Sequence, residues 1–260
     1  MLSPKWINDN AVEVGLDEAG RGSLWGRLYV GAVILAPEDD AYCDDGAMLR
    51  QIIDSKKLTR RRRAILADYI HENAIEAVVA WAEPAEIDAV NVLNADMAAM
   101  NRALASLETP FERVLVDGNV WIPSCPVAEA ADAIVLPGGD GVSLAVAAAS
   151  IIAKEAHDAW VRETATPELD ARYGLLSNMG YGTATHLAGL KTWGSHSLHR
   201  RSFAPVGAVT QGVAPVGAVT QGVAPVGAVT QGVAPVGAVT QGVAPVGAVT
   251  QGVAPVAAST

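Results

Sequence analysis

Two adjacent carboxylates, Asp17 and Glu18, stand behind the apolar residues 12–16, and Gly20-Arg21-Gly22 follows at once. A third acid, Asp117, ends the short apolar run 113–116, and a fourth, Asp158, lies toward the far end of the apolar stretch 143–160. Burying an unpaired carboxylate is expensive, so acids in apolar surroundings are paired or hold a metal. Carboxylate oxygens with few histidines suit a hard cation, Mg²⁺ or Mn²⁺, better than zinc. Two such ions about 4 Å apart would clamp the attacking and leaving oxygens of a phosphodiester displacement. Adjacent residues on a regular strand point to opposite faces. The strand is therefore expected to end or bulge between Asp17 and Glu18, which Ala19-Gly20 permits. Taken singly, each acid has a plainer reading: Asp117-Gly118-Asn119 is an ordinary turn signal, and Asp158 a solvated helix position. Two acids leading into Gly-Arg-Gly are harder to explain that way.

Elements able to position these groups are legible on either side. Strands are expected over residues 12–16, 28–36, 74–82 and 113–116, with loops at 20–26 and 37–46. Residues 59–72 read as a basic helix with Ile65, Leu66, Tyr69 and Ile70 on its apolar side. Ile87, Val90, Leu93, Met97, Met100, Leu104 and Leu107 recur at steps of three and four, the pattern of one amphipathic helix. The run 143–160 is too long for a strand and nearly all small or apolar, so it reads as a buried helix. Residues 169–203 read as short helices and loops capping the sheet. Strands followed by helices across glycine-bearing turns give an α/β domain. In open α/β sheets ligands bind outside the carboxyl ends of the strands, where Asp17, Glu18 and Asp117 fall.

The chain has 260 residues and a net charge of −10, with no Asp, Glu, Lys or Arg after Arg201. From residue 207 it consists of five identical copies of GAVTQGVAPV followed by AAST. The expected organisation is a catalytic-type domain over 1–206 and a repeat tail over 207–260. A body of this size is ample for one domain with a sizeable core. The repeat unit, with two glycines and a proline, suits neither a stable helix nor a central strand. A flexible, weakly collapsing tail is expected, with stacking of identical units as the alternative. The acidic balance argues mildly against nucleic acid, but KKLTRRRR at 56–63 and HRR at 199–201 are local basic patches. The first residues lack signal-peptide design, and no apolar run approaches the ~20 residues that span a bilayer. A soluble cytoplasmic protein is expected. Cys43 and Cys125 fit neither a disulfide framework nor zinc spacing and read as structural.

The motifs GLDEAGRG (15–22), VGAVIL (30–35), DSKKLT (54–59), VDGN (116–119), GGD (138–140), AAASIIAK (147–154), GYGTATH (180–186) and HRRSFAPV (199–206) occur in the order found in ribonuclease HII, which the chain resembles over residues 12–206. The resemblance implies an RNase H-like fold: a mixed, mostly parallel sheet flanked by helices, with a small helical C-terminal part. It also implies a Mn²⁺- or Mg²⁺-dependent endonuclease acting on RNA–DNA hybrids and on single ribonucleotides embedded in duplex DNA. Such an enzyme cuts on the 5′ side of the ribonucleotide and leaves a 3′-hydroxyl and a 5′-phosphate. Carried over by motif, the metal carboxylates are Asp17, Glu18, Asp117 and Asp158. Gly20, Arg21 and Gly22 match the loop that feels the 2′-hydroxyl, Tyr181 the tyrosine packing on that nucleotide, and Lys56 and Lys57 the phosphate contacts. His186 and His199 read as hydrogen-bonded structural residues. No obligate protein partner and no membrane are implied. The chain departs from the family in carrying Glu155-Ala156-His157 where Val-x-Arg is usual. Two rival readings are a regulatory module using residues 20–22 as an anion cradle, and an assembly protein built around the repeats.

Overall fold

The computed structural model describes residues 2–36 and 47–210. Cys43, the loop expected at 37–46 and the repeats beyond residue 210 lie outside them. The described residues form five strands: β1 (Glu13–Ala19), β2 (Leu28–Ile34), β3 (Glu76–Ala82), β4 (Arg113–Asp117) and β5 (Asp132–Leu136). Between and after them come α1 (Arg60–Asn73), α2 (Pro84–Val90), α3 (Val92–Ala105), α4 (Pro126–Ala130), α5 (Leu144–Thr164), α6 (Pro167–Tyr173), α7 (Leu175–Asn178), α8 (Ala184–Trp193) and α9 (Ala204–Thr210). The strand order is β3-β2-β1-β4-β5. β2 pairs antiparallel with both β1 and β3, while β4 pairs parallel with both β1 and β5. The sheet is mixed, as expected, but evenly divided rather than mostly parallel.

Each face of the sheet carries its own core. Val14, Leu16, Val30 and Ala32 pack on one side against Met97, Met100 and Leu104 of α3. Tyr29 and Val33 pack on the other side with Leu66 and Ile70 of α1 and the alanines of α5. α5 lies almost on the backbone of the central strands. A Cβ at Gly15 would stand 2.2 Å from the Ala145 carbonyl carbon, and one at Gly31 would stand 2.4 Å from the Ala149 oxygen. Small residues on both partners permit this approach, and any side chain at either glycine would push the helix off the sheet. Strand alternation then puts Asp17 on the α5 side with Gly15, and Glu18 on the α3 side with Leu16. Ser143 caps α5, its side chain accepting from the Val146 N–H.

The long amphipathic helix expected across 87–107 is broken at Asn91. That residue has φ 70° and accepts from the Asn94 N–H, so it ends α2 and caps α3 in one step. Asparagine tolerates the left-handed region better than most residues. β5 and α4 are five residues each, too short to leave a periodic signature. Beyond α5, the short helices close over Leu24 and Trp25 through Tyr173, Leu175, Leu190 and Val206. Val206 is fully buried inside α9, and Val209 packs on the same cluster, so the folded body runs past residue 206. His186 and His199 are buried there with their Nε2 atoms 3.0 Å apart. Cys125 is a free thiol with Sγ 3.6 Å from the Asn101 carbonyl oxygen. No helix among the described residues is long and apolar enough to cross a membrane.

Candidate active site

The strand does not end or bulge between Asp17 and Glu18. β1 keeps its antiparallel register with β2 through Ala19↔Tyr29, whereas its parallel pairing with β4 stops at Leu16↔Val116. Past that point one edge of β1 has lost its hydrogen-bonded neighbour, and the acids meet in the opening. Asp17 comes from one face of the sheet, Glu18 from the other, and Asp117 from the end of β4. Their ligand oxygens all lie within 4.8 Å of one another.

Like charges this close, and this buried, resist ionisation. Burial pushes the Asp17 carboxyl well above its usual range, and the charges of Glu18 and Asp117 push it further. Glu18 is also raised, first by burial, with Arg21 opposing and Asp117 adding. Asp17 Oδ1 accepts from the Glu18 N–H at 2.7 Å, but its buried Oδ2 has no hydrogen-bond partner among the described residues. Asp117 Oδ1 accepts from the Gly139 N–H at 2.6 Å. A cluster of acids with an orphaned buried oxygen fits a divalent cation, whose charge would reverse the repulsion.

The acids line a cavity of about 410 Å³ whose other wall carries Gly20, Arg21, Gly22, Lys56, Lys154 and Tyr181. Gly20 has φ 80°, and a Cβ there would stand 2.4 Å from the His157 ring, so conformation and space both demand glycine. Its N–H donates to the Tyr181 hydroxyl at 3.2 Å. Arg200 lies behind the turn, fully buried, donating to the Arg21 carbonyl at 3.0 Å and to the Gly26 carbonyl at 2.9 Å. The HRR patch is therefore no uniform basic surface: its central arginine is an internal clamp on the Gly-Arg-Gly turn.

One acid expected among the metal ligands is elsewhere. Asp158 is not among the converging acids. Its Oδ1 takes Lys154 Nζ at 2.8 Å and lies 3.0 Å from His157 Nδ1, and its Oδ2 takes Arg63 at 2.8 Å. Burial would raise its pKa, but hydrogen bonds from His157 and Lys154 outweigh it and hold the carboxyl below the usual range. Both oxygens are thus saturated by the protein. Arg63 also binds Glu155 at 2.6 Å, so this arginine is a buried strut between α1 and α5. Lys57 pairs with Asp54 at 3.5 Å and is not part of the cavity wall.

Asp140 was not singled out from the sequence, although the GGD motif contains it. It sits in the tight turn before α5, nearly buried, with Oδ2 3.4 Å from Lys56 Nζ. Burial raises its pKa, Lys56 opposes, and the charges of Asp54 and Asp117 raise it again. An acid that feels Asp117 and pairs with the cavity lysine belongs to the same electrostatic neighbourhood. Its signal in the sequence was a carboxylate locked between glycines immediately before a buried helix.

A sequence-family model described as Ribonuclease HII matches residues 14–206. The protein named Ribonuclease HII from Polaromonas sp. strain JS666 is 43% identical over 195 residues, 75% of this chain and 90% of that protein. The one from Laribacter hongkongensis is 44% identical over 195 residues, 74% of this chain and 90% of that protein. Among solved structures, the ribonuclease H2 of Pyrococcus horikoshii OT3 superposes with a TM-score of 0.59 at 26% identity, covering 76% of this chain and 97% of that one. The RNase HII of Archaeoglobus fulgidus, solved in complex with PCNA, gives 0.57 at 27% identity over 74% and 95%. Sequence, fold and the acids at the strand ends agree, and the chain belongs to the ribonuclease HII family of divalent-metal-dependent endonucleases.

Proposed function

We propose that this enzyme hydrolyses the RNA strand of RNA–DNA hybrids and also cuts at single ribonucleotides within duplex DNA, leaving a 3′-hydroxyl and a 5′-phosphate. The observation carrying this reading is the convergence of Asp17, Glu18 and Asp117 in a cavity whose opposite wall is the Gly20-Arg21-Gly22 turn fastened to Tyr181. Asp17, Glu18 and Asp117 hold the cations, Mn²⁺ or Mg²⁺, and Asp140 is the fourth acid in place of Asp158. Bound there, two divalent cations supply the positive charge that a phosphodiester displacement needs at its attacking and leaving oxygens.

The protein's own groups do the recognition. Side chains are absent at Gly20 and Gly22, so backbone can approach a ribose closely, and the 2′-hydroxyl is the group that separates RNA from DNA. Tyr181, half-buried and fixed by Gly20, offers a face for the same nucleotide. Lys56 on the rim, and Lys57 beside it, meet the phosphate backbone. The test is incubation with duplex DNA carrying one ribonucleotide, with Mn²⁺ or with EDTA. Metal-dependent cleavage on the 5′ side of the ribonucleotide supports the reading. Equal cleavage of an all-DNA duplex, or none of either, overturns it.

A further inference from the structure

Asp96, in the second turn of α3, is an acid outside the converging cluster of Asp17, Glu18 and Asp117. It is fully buried, and neither of its oxygens has a hydrogen-bond partner among the described residues. Its neighbours in α3, Ala95, Met97, Ala99 and Met100, are buried against the sheet. A carboxylate in such a place detracts from stability unless something ionic or polar comes to meet it. The group nearest to doing so is Arg21. Its Nη1 lies 3.5 Å from Asp96 Oδ2 and 3.6 Å from Glu18 Oε1, so one guanidinium stands between two acids. The electrostatics bear the mark of that sharing. Burial lifts the Asp96 carboxyl to about 8, with the Glu18 charge adding and Arg21 opposing.

Glu18 therefore has two claims on it, from Arg21 and from a cation. Once a cation takes Glu18, Arg21 needs another acceptor or its half-exposed side chain turns to solvent. Asp96 is in reach without any movement of the backbone. The main chain of the same residue is already held, because Arg200 donates to the Arg21 carbonyl at 3.0 Å. We propose that Asp96 is a positioning residue that anchors the Arg21 guanidinium to α3, so that the Gly20-Arg21-Gly22 turn stays in place when Glu18 is committed to metal. This inference rests on the ribonucleotide-cutting reading of the site. It explains why a fully buried acid lies beside Arg21 with no hydrogen bond of its own.

The test is Asp96→Asn in the full-length protein, with Asp96→Ser as a second variant should the first not fold. An acid with no role would be a stability defect alone, and its removal would hold or raise Tm and leave kinetics unchanged. The anchor predicts an unchanged or raised Tm with kcat/KM on a single embedded ribonucleotide lowered about tenfold, the loss falling mainly in KM. Arg21→Ala should show a similar loss, and the double variant should lose no more than either alone, because both remove one interaction. A readout independent of activity is tryptic cleavage after Arg21, which should be severalfold faster in Asp96→Asn far below its Tm. The tail, having no Lys or Arg, adds no tryptic sites. Wild-type kinetics in Asp96→Asn, additive losses in the double variant, or unchanged cleavage after Arg21 would overturn the proposal. Should the wild-type protein fail to cut ribonucleotide substrates, the functional reading fails, and the proteolysis still decides the anchor.

Discussion

The Gly20 backbone N–H donates to the Tyr181 hydroxyl at 3.2 Å, joining residues 161 positions apart in the chain. The strand that carries the acids is thereby tied to the helical C-terminal part, and the cavity cannot widen without breaking that bond. Tyr181→Phe keeps the ring and removes the acceptor. A lost hydrogen bond of about 1 kcal/mol corresponds to roughly a five- to tenfold fall in kcat/KM on a single ribonucleotide. Tyr181→Ala should lose considerably more. A 2′-deoxy or 2′-O-methyl sugar at the junction should be rejected by about 10⁴ or more if the turn hydrogen-bonds the hydroxyl. Steady-state rates on matched duplexes decide both.

The acids divide into two groups with opposite expected behaviour. Asp17→Asn should abolish cleavage while leaving the fold intact, and should raise the melting temperature of metal-free protein because it removes one of three converging charges. Asp140→Asn should cost at least about 10² in rate, since it withdraws a charge beside Asp117 and the partner of Lys56. Asp158→Asn should act on stability instead. It removes one of the two buried carboxylate partners of Arg63 and the partner of Lys154, at a cost of about 3 kcal/mol, and the folded variant should still cut within tenfold of the wild-type rate. Near-normal cleavage by Asp17→Asn, or abolished cleavage by a well-folded Asp158→Asn, would reverse the assignment.

Metal removal should matter more at high pH. Folded Asp17 and Glu18 have pKa values raised above those of the unfolded chain, so the folded state binds more protons through the window between the two. Metal-free stability therefore falls as pH rises through that window. A cation that takes the place of those protons restores what was lost. The melting-temperature difference between Mn²⁺ and EDTA should grow from pH 5 to pH 8 in calorimetry. A difference that shrinks over that range would contradict the electrostatics of the cluster.

The repeats should be dispensable for catalysis, provided the cut respects α9. Val206 is fully buried and Val209 packs beside it, so a chain ending at Thr210 should keep full metal-dependent activity on an embedded ribonucleotide. One ending at Val206 removes the second half of α9 and should melt several degrees lower. Loss of most activity in the folded longer chain would make the repeats part of the enzyme.

The sequence by itself determined the chemistry's raw material and its approximate places. Asp17 and Glu18 behind an apolar run, Asp117 at the end of another, and a glycine turn between strands were readable because period, composition and turn residues are local properties. The α/β class followed from the same signals, as did the buried helix across 143–160, which the structure extends to Thr164. Where the acids point was not local. Adjacent strand residues face opposite sides, and Asp17 and Glu18 share a site because β4 stops pairing with β1 at Leu16↔Val116, which is a relation between strands about 100 residues apart. Asp158 and Asp140 show the same limit. One stands just before an apolar helix and the other within it, and no spacing rule separates them. Arg63, Lys154 and His157 gather on Asp158 only after α1 packs on α5, whereas Asp140 is left facing Lys56 and Asp117. A carboxylate saturated by buried cations has no free oxygen to give a metal, and which carboxylate is saturated is decided by packing between distant segments.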